Sequence, residues 1–291
     1  MINPISTMPL PLAFWVDDLS PFAIRFWGNV GIRWYGLAYV CGFLAGGWLM
    51  VRYYRSGRST LPAAQVPDFI LALVMGVLLG GRIGYFLLYD FDLFIHQPLV
   101  LLRVWEGGMA SHGGFAGVCI AVWWFSRKSG ISFLHLADLQ ASAVSVGLLL
   151  GRLANFINGE LWGKISVVPW AVIFPKSDPD KPFSMIPPRH PSQLYEAGLE
   201  GALLLAFMQW RVWKTDVLRT QPGRLTGEFM IAYAAVRIFC EMFREPDVGV
   251  SLILGLSRGS FYSLFLAVVG CGMIIYGARH RTPVSSIGKS D

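Results

Sequence analysis

The sequence predicts an all-α protein: a polytopic membrane helix bundle of seven transmembrane helices with a small head region on one face. Three observations carry that expectation. Of 291 residues, 54% are hydrophobic and only 14% charged, with a mean hydropathy of +0.52; a soluble domain carries about 25% charged residues. Apolar stretches recur at 35–51, 68–89, 110–126, 134–154, 193–213, 226–243 and 259–277, most of them near the ~20 residues that a helix needs to cross a bilayer. Lys and Arg are also unevenly shared between the connections.

The connections 52–67, 127–133, 211–225 and 278–291 hold 12 Lys/Arg in 52 residues, while 1–34, 90–111, 155–192 and 244–258 hold 9 in 109. The positive-inside rule makes the first set cytoplasmic, with the N-terminus outside and the C-terminus in the cytoplasm. The net charge of +6 is explained by that placement, and no nucleic-acid partner is expected. Residues 1–34 are rich in Pro and aromatics, carry Asp17 and Asp18, and lack the pattern of a signal peptide; they suit an interfacial arm. Gly76, Gly80 and Gly84 put a small-residue stripe on the second span, which favours close helix packing. The outer segment 155–192 contains seven prolines (Pro169, Pro175, Pro179, Pro182, Pro187, Pro188 and Pro191), so it cannot be one long helix. No linker separates two domains, so 1–291 is expected to be one unit with 155–192 inserted. Cys41, Cys119, Cys240 and Cys271 form no CxxC, and there is no HExxH; neither a metal nor a cofactor is expected.

Arg82, Arg152 and Arg237 fall in the outer halves of the second, fourth and sixth spans, which run in the same direction. Each of these spans has an acid near its cytoplasmic start, Asp68, Asp138 or Glu228, where the helix dipole favours negative charge. A guanidinium inside an apolar run costs several kcal/mol unless paired or wet. Three at similar depth suggest one polar site for an anion. Other polar residues gather at the same face: Arg33-Trp34-Tyr35, Ser111-His112-Gly113-Gly114, the run from Gly151 to Gly163, and Tyr233, Arg237 and Glu241. The last three recur every four residues and stack on one helix face. Blander readings stand beside these. Arg237 and Glu241 make a structural ion pair, His112 starts a helix, and Asn155 and Asn158 end one. Gly255-Leu256-Ser257-Arg258-Gly259 matches GxSxG but lacks the strand–turn–helix which that hydrolase motif needs.

The thirteen residues Gly151 to Gly163, with Arg152, Asn155, Phe156, Asn158, Glu160 and Gly163 in place, resemble the hallmark motif of the bacterial prolipoprotein diacylglyceryl transferases. Trp34-Tyr35-Gly36, His112-Gly113-Gly114, the run Arg189 to Glu196 and the run Tyr233 to Arg244 resemble that family in order and spacing, so the likeness spans about residues 30–280. Ala154 departs from the Gly of many members, and the loop before Arg189 is shorter than in some. The resemblance implies transfer of a diacylglyceryl group from phosphatidylglycerol to the lipobox cysteine thiol of a prolipoprotein signal peptide. A thioether forms and glycerol-1-phosphate leaves, the first step of lipoprotein maturation. It implies a bacterial inner-membrane enzyme with its active site toward the periplasm. Under it, Arg152 and Arg237 bind the phosphate and stabilise the leaving group, and His112 is the base or a hydrogen bond to the head group. Tyr35, Asn155, Glu160, Gly163, Tyr233 and Glu241 order the arginines or line the lipid pocket, and Arg82 joins the substrate-binding set. The chemistry suits these residues: guanidinium forks stabilise a departing phosphate, and a thiol of pKa near 8.5 needs a base or a positive field.

A competing function is an anion or lipid transporter, which also places arginines at helix ends. Such a protein would show an inverted repeat with broken helices. The echo between Leu79-Gly80-Gly81-Arg82-Ile83-Gly84 and Leu150-Gly151-Arg152-Leu153-Ala154 runs in parallel, which speaks against it. A non-catalytic assembly factor leaves three buried arginines unexplained.

Overall fold

A computed structural model describes residues 14–103, 107–246, 253 and 255–281. Residues 1–13 of the expected arm, 104–106, most of 247–254 and the end of the expected inner tail (282–291) lie outside the described residues.

Among the described residues the chain forms α1 (Trp34–Arg55), α2 (Val66–Tyr89), α3 (Phe91–His96), α4 (Ser111–Ser129) and α5 (Phe133–Ile157). After the proline-rich segment come α6 (Ser192–Glu196), a π-helical turn (Ala197–Leu203), α7 (Leu204–Lys214), α8 (Val217–Thr220), α9 (Arg224–Glu241) and α10 (Arg258–Arg279). Each of the seven apolar stretches falls on one of the long rods, with α6, the π turn and α7 joined as one. Four helical segments, Trp34–Arg55, Ala63–Tyr89, Phe133–Ile157 and Arg258–Arg279, are long and apolar enough to cross a membrane. Of the other rods, α4 carries its basic residues, Arg127 and Lys128, in its last turn, and the remaining two carry charges along their length. The α6–α7 rod contains Glu196 and Glu200, and α9 contains Arg224, Glu228, Arg237 and Glu241.

The fold is not wholly α. β1 (Trp15–Val16) pairs in parallel with β4 (Val172–Ile173), so the N-terminal arm is tied to the proline-rich insertion. β2 (Phe22–Trp27) and β3 (Val30–Arg33) form an antiparallel hairpin across Gly28-Asn29. Two aromatic and β-branched runs around a two-residue turn favour that hairpin, and Gly28 supplies the left-handed φ of 52° that a tight turn needs.

The glycine stripe of α2 does what its spacing suggests. A Cβ on Gly84 would stand 2.5 Å from the Gly113 Cα, and one on Gly80 would stand 2.7 Å from the Gly117 Cα. The backbones of α2 and α4 are therefore in direct contact, and only glycine allows it.

The connections 56–65, 130–132 and 215–223 meet at one end of the bundle over a core that includes Tyr53, Phe69, Phe125, Leu136, Met208 and Leu225. Arg58 Nη1 donates to the carbonyls of Val212 (2.7 Å) and Thr215 (3.0 Å). The His135 ring lies between Ser59 Oγ, the Thr60 amide and the Leu218 carbonyl. Asp138, expected to serve the dipole of its own helix, instead accepts from the Gly223 and Thr226 amides and the Thr226 hydroxyl, each at 2.7 Å. It caps α9. An acid sits well wherever unpaired amides point at it, and here those belong to a neighbouring helix. Glu228 pairs with Arg211 (2.6 Å) and Arg224 (2.9 Å).

Candidate active site

At the other end of α5 the bundle gathers its charges. Arg152, near the end of α5, sets Nε 3.0 Å from Glu196 Oε2 and Nη2 3.1 Å from Glu200 Oε2. Arg237 on α9 reaches the same two carboxylates with Nη1, at 2.7 Å from Glu196 Oε1 and 3.4 Å from Glu200 Oε1. Its Nη2 pairs with Glu241 Oε1 at 2.5 Å. Arg244 Nη1 adds a longer contact of 3.5 Å to Glu196. Both Glu196 and Glu200 have side chains that are 0% exposed. Three guanidiniums and three carboxylates make a formally neutral cluster. Removing one partner from such a buried set leaves an uncompensated charge, at a typical cost of about 3–5 kcal/mol.

The thirteen-residue motif divides into two jobs. Arg152 enters the cluster, while the rest of the motif builds the turn that holds α6 beside α5. The Glu160 carboxylate accepts from Asn155 Nδ2 (2.8 Å) and Asn158 Nδ2 (3.3 Å), so these asparagines do more than end a helix. The Glu160 carbonyl accepts from Gln193 Nε2 at 2.7 Å, and the Leu161 carbonyl from Ser192 Oγ at 3.1 Å. Leu161 takes a left-handed φ of 58°, a costly conformation for a leucine. Gly163 is pressed between two strands of chain: its amide donates to the His190 carbonyl at 2.9 Å, and a Cβ there would stand 2.5 Å from the Phe243 carbonyl oxygen. Ser192 and Gln193 open α6, which ends at Glu196, so this turn sets where Glu196 stands.

The remaining candidates are distributed around this centre. His112, in the first turn of α4, places its ring edge-on to Tyr262 of α10, 5.2 Å between centroids. One turn earlier on α10, Gly259 leaves room for the Arg237–Glu241 pair, since a Cβ there would overlap the Glu241 carboxylate. The histidine thus faces α10 one turn beyond the residue that backs the cluster. Tyr233, one turn before Arg237 on α9, stacks on Phe229 with 5.8 Å between ring centroids. Tyr35 lies in the first turn of α1 with its ring against Tyr39, 5.2 Å away. Among the described residues, the ion-pair network itself includes none of Tyr35, His112, Asn155 and Glu160.

Arg82 lies outside the Arg–Glu cluster and has other partners. It is 3% exposed, and its donors go to backbone carbonyls: Val100 at 2.6 Å, Arg103 at 2.7 Å, Gly108 at 3.2 Å, Leu101 at 3.4 Å, and Gly107. It clamps the segment that leads into α4. A guanidinium carries five donors, and here the surrounding carbonyls take them up. Ser257 is likewise no nucleophile elbow. It is the N-cap of α10, accepting from the Ser260 amide at 3.1 Å.

Glu200 escaped the sequence reading, and Glu196 and Arg244 entered it only as members of matching runs, without a role. The signal was present: two acids four residues apart inside an apolar stretch must be paired, and each invites the question of its partner. Outside the helices, burial lowers the pKa of His190, with Lys164 adding to the effect, and its Nδ1 lies 3.0 Å from the Tyr195 hydroxyl. Burial raises the Asp17 carboxyl, which sits against Gly159.

Long apolar helices around a buried Arg–Glu cluster define a membrane protein with a charged site at one end of its bundle. The comparisons with known proteins agree on which one. The sequence matches the family model for prolipoprotein diacylglyceryl transferase over residues 21–276. It is 46% identical over 268 residues to the phosphatidylglycerol–prolipoprotein diacylglyceryl transferase of Rhizobium meliloti, covering 89% of this chain and 91% of that one. Against the proteins of the same name from Bradyrhizobium diazoefficiens and Vibrio atlanticus it is 44% and 42% identical. Those alignments cover 91% and 90% of this chain, and 93% and 92% of the relatives. The chain belongs to the prolipoprotein diacylglyceryl transferase family, a family of transferases.

Proposed function

We propose that this protein moves a diacylglyceryl group from phosphatidylglycerol to the lipobox cysteine of a prolipoprotein, the first step in lipoprotein maturation. The cysteine thiolate attacks the terminal glycerol carbon that bears the phosphate ester. A carbon–sulfur bond forms as the carbon–oxygen bond breaks, and the electron pair leaves with the phosphate oxygen as glycerol-1-phosphate. The thiol proton passes to a base, for which His112 is the candidate. Arg152 and Arg237 stabilise the charge that gathers on the departing phosphate, where preorganised donors contribute most.

The observation that carries this reading is the pairing of Arg152 and Arg237 on shared carboxylates in a chain of this family. Two guanidiniums from different helices converge where one phosphate can contact both. Tyr35, Asn155, Glu160, Gly163, Tyr233 and Glu241 belong to the site in this reading, as supports or as lipid contacts.

The same reading takes the seven long rods as membrane spans in the bacterial inner membrane, forming one domain, with the N-terminus outside, the C-terminus in the cytoplasm and the site toward the periplasm. The knot at the Asp138 end supports it, because three Lys/Arg-rich connections meet there. The transporter reading fares worse, since the arginines are held by carboxylates instead of lining a path. The test is direct: purified protein is incubated with phosphatidylglycerol and a cysteine-containing signal peptide. Release of glycerol phosphate with lipidation of the peptide is expected. Neither product appearing would overturn the proposal.

A further inference from the structure

The arginines of the cluster are not free. Glu196 is shared among Arg152, Arg237 and Arg244, and Glu200 between Arg152 and Arg237. Sharing prevents every pair from having good geometry. Two contacts are stretched to 3.4 and 3.5 Å, and Glu196 Oε2 lies 3.0 Å from Arg152 Nε without an aligned N–H. A bidentate fork is what makes an Arg–carboxylate pair strong, and several contacts here fall short of it.

The backbone is built to keep this arrangement. Glu200 lies in the π-helical turn Ala197–Leu203, a distortion that recurs at functional sites. Gly201 in the same turn touches α5 so closely that a Cβ would stand 2.6 Å from the Leu149 Cα. Leu149 is three residues before Arg152. The close approach therefore brings the carboxylates and the arginine together, at the cost of an irregular helix.

We propose that Glu196 and Glu200 are positioning residues that occupy the place of the lipid phosphate, keeping Arg152 and Arg237 aligned and neutralised until a phosphate displaces them. This rests on the reading that these arginines bind the phosphate. A phosphate offers more acceptor oxygens than a shared carboxylate, so exchange gives the guanidiniums the forks that the glutamates do not supply. An arginine pair with no counter-ion would be costly to bury in the empty enzyme. It would also hold the phosphate product too tightly for turnover.

The test measures binding of sn-glycerol-1-phosphate to detergent-solubilised protein alongside transfer kinetics. Glu200→Gln keeps the shape and removes one negative charge. Its affinity for sn-glycerol-1-phosphate should rise by roughly tenfold or more, with a lower KM for phosphatidylglycerol and a lower kcat. Glu200→Asp, which retains the charge, should keep an affinity near wild type. A purely structural ion cluster predicts the opposite: unchanged or weaker phosphate binding in Glu200→Gln, which would overturn the proposal. A measurement on the unaltered protein does not depend on how the variants fold. Infrared difference spectra on adding sn-glycerol-1-phosphate should show carboxylate bands shifting as the glutamates lose their arginine partners, and no shift would also overturn it. Absence of transfer activity in wild type would sink the functional reading. Transfer without the affinity change would sink this inference alone.

Discussion

Two sets of helices in this bundle are joined by opposite means. α2 and α4 meet through glycines, with Gly80 and Gly84 against Gly113 and Gly117. α5, the α6–α7 rod and α9 meet through charges, with Arg152 and Arg237 sharing Glu196 and Glu200. In the first set, backbones approach until van der Waals contact holds them, and no side chain there needs a partner. In the second, each charge is tolerable only because another helix supplies its complement. The glycine contacts themselves can serve only as scaffold. The charged trio can hold a fold and also bind an anion, because its interactions can be exchanged for others of the same kind.

The largest effect should come from the charged set. Arg152→Lys keeps the charge but loses the planar fork. Transfer should fall by about 10²–10³-fold, the usual loss for one transition-state donor, while the protein still inserts and unfolds at a similar temperature. Near-normal turnover would reduce Arg152 to packing and erase the contrast.

His112→Gln probes the first turn of α4, on the glycine-joined side of the comparison. If His112 accepts the thiol proton, the rate defect should be deepest at neutral pH and shrink as pH rises toward the thiol pKa of about 8.5, where solvent supplies the thiolate. The Arg152→Lys defect should persist across the same range. Parallel pH–rate profiles for the two variants would make His112 a head-group contact instead.

The glycine set should break differently. Gly80→Val drives a side chain into the Gly113–Gly117 backbone and should cost about 1–3 kcal/mol or more of stability, read as a lower unfolding temperature in detergent. Activity per folded molecule should survive. Arg82→Ala tests the clamp on the segment that leads into α4. It should expose the chain around Val100–Arg103 to proteolysis and slow transfer by roughly tenfold through the start of α4, and unchanged protease sensitivity would argue against the clamp. Ser257→Ala should do least. Losing the cap of α10 costs about 0.5–2 kcal/mol and leaves turnover intact; an inactive variant would revive a nucleophilic role for the serine.

The sequence by itself determined what is local. Each apolar stretch became a helical rod, because a run of apolar residues near bilayer length has few alternatives. Helix α1, read at 35–51, spans Trp34–Arg55, and the stretch read at 259–277 spans Arg258–Arg279. The Arg237–Glu241 pair was visible because residues four apart on one helix must be neighbours. The hairpin at Gly28-Asn29 was also local, and its turn signal was there to be read. Only the tertiary structure decided which charges meet across helices. Nothing in the spacing distinguishes Arg82, spent on the carbonyls of a loop, from Arg152, aimed at Glu196 and Glu200. Both lie in apolar runs beside glycines, and both must be satisfied. The same holds for Asp138, which serves the start of α9 and not its own helix. Burial demands that a polar group find a partner, but the demand does not say from which helix. That choice belongs to packing: the glycine contact of Gly201 with Leu149 and the turn from Asn155 to Gly163 bring one arginine, and not the other, against the buried acids.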